Sequence, residues 1–180
     1  MKLACIARLH APSKGHDVLF RVLEQLKWRR RVITISLYYD SAPNELSLKN
    51  LVRRLGLDGV VKFRGFSSVI ETVWKQHHAL ILPSRNEGLP RSLIEAMLCG
   101  RMAIVTGNAG GNAEVMVDNH TGFIAEALTP KLLDEAMERA WERRDEWRML
   151  GKNAAEHIRT LVPEDPVGEF VGMLFKTVNL

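Results

Sequence analysis

Short apolar runs alternate along the first part of the chain with longer segments in which apolar residues recur every three or four positions. A short run bounded by turn residues is typical of a buried strand, whereas the longer spacing is typical of an amphipathic helix. The pattern predicts strands at 3–7, 32–37, 60–63, 79–82 and 102–106, a short edge strand at 122–124, and helices at 17–27, 43–55, 68–76 and from about Pro90 to Gly100.

This alternation predicts the fold class. Parallel strands need crossover connections, so we expect an α/β fold: a Rossmann-like parallel sheet of about six strands with helices on both faces. The 180 residues suffice for one domain, 1–180, with a core at about 1–128 and a helical C-terminal tail at about 129–180. In the tail the spacing predicts helices at 131–140, 142–150, 153–161 and 167–178.

Composition narrows the class only slightly. Hydrophobic residues make up 46% and charged residues 26% of the chain, as in ordinary globular proteins. Cys5 and Cys99 are isolated, and we interpret both as reduced core residues. There is no signal-peptide pattern, and no apolar run approaches the roughly 20 residues of a membrane span, so we expect a cytoplasmic protein.

The net charge of +4 suits an anionic ligand but is mild. The basic run Trp28-Arg-Arg-Arg31 predicts either a solvated helix end or peripheral contact with anionic lipid at the inner face of the membrane. Basic and aromatic residues do not interleave, which argues against a nucleic-acid partner. No G-x-G-x-x-G follows the first strand, which disfavours an NAD-dependent enzyme.

The most informative stretch runs from Ser84 to Met97, between the fourth predicted strand and the next helix. A strand that enters a helix through a glycine turn aims free backbone N–H groups at one place, and the helix dipole adds to their attraction for anions. Two carboxylates, Glu87 and Glu95, bracket that turn. Carboxylates beside an anion site suit a ligand that also carries hydroxyl groups, as a sugar nucleotide does.

These residues resemble a known family. Glu87 and Glu95, within Glu-Gly-Leu-Pro and Glu-Ala-Met, look like the E-x7-E signature of glycosyltransferase family 4, or group 1. Matching motifs occur at Arg8-Leu9 with Lys14-Gly15 and at Gly110-Gly111 with Glu114. The resemblance implies half of a GT-B fold: the C-terminal, donor-binding domain of a retaining enzyme, of a kind used in cell-envelope polysaccharide synthesis.

The resemblance also implies a role for each charged residue. Arg8 and Lys14 would bind the diphosphate as it departs, Glu87 would face the transferred sugar, and Glu95 would accept hydrogen bonds from the ribose. Simpler interpretations remain open. Arg8, Lys14 and Glu87 could be solvated loop residues, and Glu95 could form a capping box with Ser92, in the pattern S-x-x-E.

Backbone groups supply the remaining candidates. Amides near the turn would meet the distal phosphate and the sugar, a second group would read the edge of the nucleobase, and a glycine pair would either border the sugar or form a plain turn. The first group is Gly88, Leu89, Pro90, Arg91 and Ser92, of which Pro90 has no N–H to donate. The second group is Arg64, Gly65 and Phe66, and the glycine pair is Gly110 and Gly111.

One departure from the family is Tyr38-Tyr39, which stands where a glycine-rich turn is usual and so leaves the base preference open. The sequence has no Asp-x-Asp pair and no histidine spacing typical of zinc, so we expect neither a metal nor a cofactor.

We expect the donor to be a nucleoside-diphosphate sugar, and the acceptor to bind an N-terminal domain that this sequence lacks. Alone, the chain should show negligible transfer. The alternative is a non-catalytic nucleotide-binding or partner-docking module.

Overall fold

A computed structural model describes residues 1–178 and shows one six-stranded, wholly parallel sheet. This confirms the predicted fold class, and two of the strands have the predicted bounds. The strands, in chain order, are β1 (Lys2–Ile6), β2 (Thr34–Tyr38), β3 (Val61–Gly65), β4 (Ala79–Leu82), β5 (Met102–Thr106) and β6 (Gly122–Ala125).

Helices cover both faces of the sheet. They are α1 (Ala11–Lys14), α2 (His16–Leu23), α3 (Leu26–Arg29), α4 (Glu45–Arg54), α5 (Ile70–Gln76), α6 (Arg91–Leu98), α7 (Asn112–Val115), α8 (Pro130–Glu142), α9 (Trp147–Leu161) and α10 (Pro166–Val178). Short 3-10 turns occur at Gly107–Ala109 and Arg144–Glu146.

Two of the predicted helix boundaries are wrong. The segment predicted as one helix at 17–27 breaks into α2 and α3, because Gln25 adopts an extended backbone. Residues 147–150 of the helix predicted at 142–150 are instead joined to the helix predicted at 153–161 in α9, with Gly151 inside it. A Cβ atom at Gly151 would lie 2.2 Å from the carbonyl oxygen of Gly100, so this glycine permits close packing and does not end the helix.

The sheet core explains why β4 is apolar at every position and β1 is apolar from Leu3 to Ile6. Along β1 and β4, successive side chains enter two separate hydrophobic clusters, one on each face. Helices α2, α4 and α8 complete one cluster, α5 and α6 complete the other, and α9 contributes to both. The helices α8 and α9 of the predicted tail therefore bury part of the sheet.

The strand order β3-β2-β1-β4-β5-β6 places a topological switch between β1 and β4. The chain first winds outward from β1 through β2 to β3, then returns to β4 and winds the other way. The segments after β1 and β4 therefore leave the same edge of the sheet side by side, where ligands bind in folds of this kind. We call these segments the β1 loop (7–15) and the β4 loop (83–90).

The two loops are tightly packed against each other. The backbone N–H groups of Arg85 and Asn86 both donate to Ser13 O, at 2.8 and 3.2 Å. The guanidinium of Arg85 forms a bidentate pair with Asp17, with both N–O distances 3.0 Å, and donates to Ala11 O at 2.7 Å. At Gly15, where φ is +64°, a Cβ atom would lie 1.9 Å from the carbonyl oxygen of Pro83.

Arg85 and Asp17 also affect each other's ionisation. Partial burial acts to raise the pKa of Asp17, but hydrogen bonds from Arg85 and its positive charge outweigh burial, so the pKa lies below its ordinary value. The pair therefore contributes stability above the ordinary carboxyl pKa, and that contribution disappears as the pH falls through the lowered one.

We expect Arg85→Gln to lower the free energy of unfolding by about 1 kcal/mol, because both side chains of its pair with Asp17 are 35% exposed and solvent screens the interaction. Urea titration at neutral pH measures this change. As a matched control, Lys152→Gln removes the much more exposed pair with Glu156 and should leave stability unchanged. Equal effects of the two substitutions would show that Arg85 does not hold the loops together.

His16, at the start of α2, is completely buried. Neither ring nitrogen has a hydrogen-bond partner among residues 1–178. Burial disfavours the charged imidazolium and lowers the pKa of His16 from 6.5 to about 4. The unfolded chain therefore binds a proton as the pH drops below 6.5, whereas the folded chain stays neutral until about pH 4. Protonation favours unfolding across that interval.

Because of His16, we expect the free energy of unfolding to fall by about 2 kcal/mol when the pH is lowered from 8 to 5. In His16→Leu this part of the pH dependence should be absent, while His120→Gln, at an exposed turn position, should retain it. Chemical denaturation of the three proteins at several pH values measures the difference. A His16→Leu profile parallel to that of the unaltered chain would contradict the assignment.

Candidate functional site

A cleft of about 460 Å³ lies at the carboxyl edge of the sheet, between the β1 and β4 loops. The basic residues Arg8 and Lys14 and the acidic residues Glu87 and Glu95 all line it, although 87 positions separate Arg8 from Glu95 in the sequence. Five other candidates from the sequence line the cleft too: Phe66, Leu89, Pro90, Arg91 and Ser92.

Lys14 and Glu87 form an ion pair within the cleft. Lys14 Nζ lies 2.7 Å from Glu87 Oε1, and the two side chains are only 13% and 10% exposed. The same carboxylate oxygen accepts a hydrogen bond of 2.5 Å from Ser84 Oγ, and Lys14 donates also to Asn86 O at 3.3 Å. Glu87 is therefore held by two donors and is not a solvated turn residue.

Arg8 differs from Lys14 in having no counter-ion among residues 1–178. Its side chain is exposed at the end of β1, and no carboxylate within the described chain pairs with it. A guanidinium without a carboxylate partner can present its planar set of donors to an incoming anion.

Glu95 does not form the capping box that the pattern allowed. Helix α6 begins at Arg91, its N-cap is Pro90, and no side chain caps the first turn. The carboxylate is half-buried and has no hydrogen-bond partner in the part of the chain described. Burial raises the pKa of Glu95, with Glu71 adding to the effect and Arg91 opposing it. A half-buried acceptor without a donor suits a ligand that carries hydroxyl groups.

Gly110 and Gly111 support the β4 loop from behind and do not line the cleft. Glu87 N donates to Ala109 O at 2.5 Å, and Gly111 N donates to Gly88 O at 3.1 Å. A Cβ atom at Gly110 would lie 2.1 Å from Glu87 O, and one at Gly111 would lie 2.5 Å from Gly88 O. The glycine pair therefore allows a close approach that fixes the backbone of Glu87 and Gly88.

Arg64 and Gly65 also lie outside the cleft lining. The register between β2 and β3 shifts at this point, so that Tyr38 pairs with Gly65 and Arg64 lies at an irregularity of the ladder. Gly65 adopts a positive φ of +71°, which turns the chain into Phe66. Of this predicted group, only the 72%-exposed Phe66 side chain borders the cleft.

Tyr38 and Tyr39, which replace the family's glycine-rich turn, both line the cleft. The Tyr39 hydroxyl donates to Glu45 Oε1 at 2.9 Å, and its ring meets Phe63 edge to face. Burial and this hydrogen bond raise the pKa of Tyr39 to about 12. Tyr38 packs against His77 in the same edge-to-face manner. The two rings are thus held in place at one end of the cleft.

The basic run at Trp28–Arg31 is mostly engaged within the fold. Trp28 is buried and donates to Asp134 at 2.6 Å, and Arg31 pairs with Glu138 at 2.5 Å while lying over the Trp28 ring. Arg29 donates to Glu24 O and Leu55 O. Membrane contact by this run stays a prediction. No helix within residues 1–178 is long and apolar enough to cross a bilayer.

The residues that join the two loops, Ser13, Arg85 and Asp17, were not among the candidates from the sequence. Their bonds link positions far apart in the chain, and nothing in the local pattern distinguishes them from solvated loop residues. In the described range, no group of three or more His, Cys, Asp or Glu side chains has the geometry of a metal site.

Solved structures share this fold. Sucrose-phosphate synthase from Thermosynechococcus elongatus superposes with a TM-score of 0.85 at 21% identity, covering 98% of this chain and 45% of that one. HepE from Anabaena, solved in complex with UDP, gives a TM-score of 0.84 at 22% identity, with 98% and 48% covered.

Curated relatives include a GDP-mannose-dependent phosphatidylinositol monomannoside mannosyltransferase of Mycolicibacterium smegmatis, 32% identical across 69% of this chain and 34% of its own length. A lipopolysaccharide core mannosyltransferase of Rhizobium leguminosarum is 26% identical across 98% of this chain and 51% of its own. The chain thus spans about half the length, or less, of these relatives. The family model for glycosyl transferases group 1 matches residues 2–157. The chain belongs to the group 1 glycosyltransferases.

Proposed function

We propose that this chain is the donor-binding half of a retaining, family 4-like glycosyltransferase, which transfers a sugar from a nucleoside diphosphate to an acceptor. One observation carries the proposal: two basic and two acidic side chains from separate loops line a single cleft of about 460 Å³. A nucleoside-diphosphate sugar has the matching chemistry, since its diphosphate needs cations and its sugars offer hydroxyl groups to carboxylates.

The diphosphate would bind between Arg8, Lys14 and the start of α6. The first turn of α6 has no side-chain cap, so its amides at Arg91 and Ser92 are suited to an anion. As the glycosidic bond breaks, negative charge builds up on the departing diphosphate. Fixed cations beside it stabilise the transition state more than the ground state, so they accelerate transfer. No metal is needed in this scheme.

The carboxylates would orient the two sugars of the donor. Glu87 lies in the β4 loop beside Lys14 and would hold the transferred sugar, while Glu95, one turn into α6, would accept from the ribose hydroxyls. Lys14 must turn partly from Glu87 towards phosphate when the donor binds. The retaining stereochemistry rests on the family resemblance and not on this geometry.

The acceptor would bind a part of the enzyme that these 180 residues do not supply, which agrees with the short span of the match to relatives. The relatives act in mannolipid and lipopolysaccharide synthesis, so we propose an acceptor of the cell envelope. One relative is named for GDP-mannose and one structural neighbour holds UDP, so the base is to be found by testing both.

The proposal predicts that Arg8→Gln weakens nucleoside-diphosphate binding about tenfold, because a charge-assisted contact to phosphate is lost. Isothermal titration of the chain with UDP and with GDP measures the dissociation constants. The matched control is Arg54→Gln, which removes an exposed arginine at the end of α4, outside the cleft lining.

If the affinity of Arg8→Gln is unchanged, or if Arg54→Gln reduces it equally, the proposal that Arg8 binds the diphosphate is contradicted. Tight binding that no N-terminal half converts into transfer would favour the alternative of a non-catalytic nucleotide-binding module.

A further inference from the structure

A line of buried polar residues runs from the end of β5 to Glu87. Asn112 Nδ2 donates to Thr106 O at 2.9 Å, the Thr106 hydroxyl donates to Ser84 O, and Ser84 Oγ donates to Glu87 Oε1 at 2.5 Å. Asn112, Thr106 and Ser84 are each 0% exposed. The line crosses from β5 to the β4 loop and ends on a carboxylate that borders the cleft.

These polar side chains lie at or just beyond the ends of strands that are otherwise apolar. Residues 102–105 of β5 and 79–82 of β4 are all buried and hydrophobic. A buried hydroxyl is favourable only if its hydrogen bonds are made, and those of Ser84 and Thr106 each have a defined partner. Asn112 has one for Nδ2, whereas its Oδ1 has none within the described residues. A serine hydroxyl has one proton to donate, and Ser84 directs that proton to Glu87.

Two donors meet at the same atom of Glu87. Lys14 Nζ and Ser84 Oγ both bond Oε1, and Oε2 has no partner within residues 1–178. The two donors differ in mobility, because Lys14 reaches Glu87 through a long flexible side chain, whereas Ser84 is short, fully buried and held through its own backbone by Thr106. Only Ser84 can stay in place when a diphosphate competes for Lys14.

We propose that Ser84 is a positioning residue that holds Oε1 of Glu87 when Lys14 turns to the diphosphate, so that Oε2 stays aimed at a hydroxyl of the donor sugar. Thr106 and Asn112 support it by fixing the backbone from which Ser84 extends. This inference rests on the proposed function and adds to it the residues that set the orientation of the sugar.

The test compares ligands with and without the sugar, by isothermal titration of the full chain with two pairs: UDP against UDP-glucose, and GDP against GDP-mannose. One of the two sugar nucleotides is expected to bind the unaltered chain. In Ser84→Ala, its affinity should fall about fivefold, which is the effect of one lost hydrogen bond, while affinity for the matching nucleoside diphosphate should change less than twofold. A merely structural role for Ser84 would affect both ligands alike.

Matched variants guard against a general loss of structure. Ser36→Ala removes another buried serine, in β2 and outside the cleft, and should change neither affinity. Thr106→Val removes the supporting hydroxyl at nearly constant volume and should weaken sugar-nucleotide binding about twofold, whereas Thr106→Ser keeps that hydroxyl and should bind like the unaltered chain. The Thr106 pair decides the matter if Ser84→Ala does not fold.

Equal losses for the two ligands of a pair, or no loss for either, would overturn the role of Ser84 while leaving the donor site intact. If the unaltered chain binds none of the four ligands, the proposed function itself fails, and this inference fails with it.

Discussion

The packing of the β1 loop against the β4 loop is the constraint on which the candidate site depends. It arises from topology, since β1 and β4 are neighbours at the point where the strand order reverses. The contact is then fixed by the backbone bonds to Ser13, by the Arg85–Asp17 pair, and by the missing side chain at Gly15. Without this packing, Lys14 and Glu87 would be unrelated residues of two mobile loops.

A rigid scaffold lies behind the loops. Both faces of the sheet are packed with apolar side chains, and the glycine pair at 110–111 presses against the backbone of Glu87 and Gly88. Glu87, on the acidic side of the cleft, is therefore held in position by contacts from the segment after β5. These contacts are the backbone contacts of the glycine pair and the line of buried polar residues that reaches Glu87 through Ser84. Arg8 is the contrasting element, exposed and without a counter-ion in the described structure. The site therefore combines a carboxylate that is fixed in position, Glu87, with a cation that is free to bind an anion, Arg8.

Much of this could be predicted from the sequence because its signals are local. The apolar runs of β4 and β5 give their bounds, and the motifs at Arg8, Lys14, Glu87 and Glu95 follow strands whose carboxyl ends share one edge. Long-range packing could not be predicted. The pattern predicted two helices on either side of Gly151, because the contact of Gly151 with Gly100 leaves no local signal. The pattern also allowed a capping box at Ser92-x-x-Glu95, because the start of α6 depends on the preceding turn. The support that Gly110 and Gly111 give to the β4 loop is likewise known only from the structure.

The central claim is that one anion-binding cleft joins the two loops, and amide chemical-shift mapping tests it most directly. The labelled chain is titrated with UDP, GDP and ADP in turn. At least one of the nucleotides should shift the amide signals of both Arg8 to Gly15 in the β1 loop and Glu87 to Ser92 around the β4 loop. Shifts confined to the opposite edge of the sheet, around Arg101 and Arg148, would contradict the account.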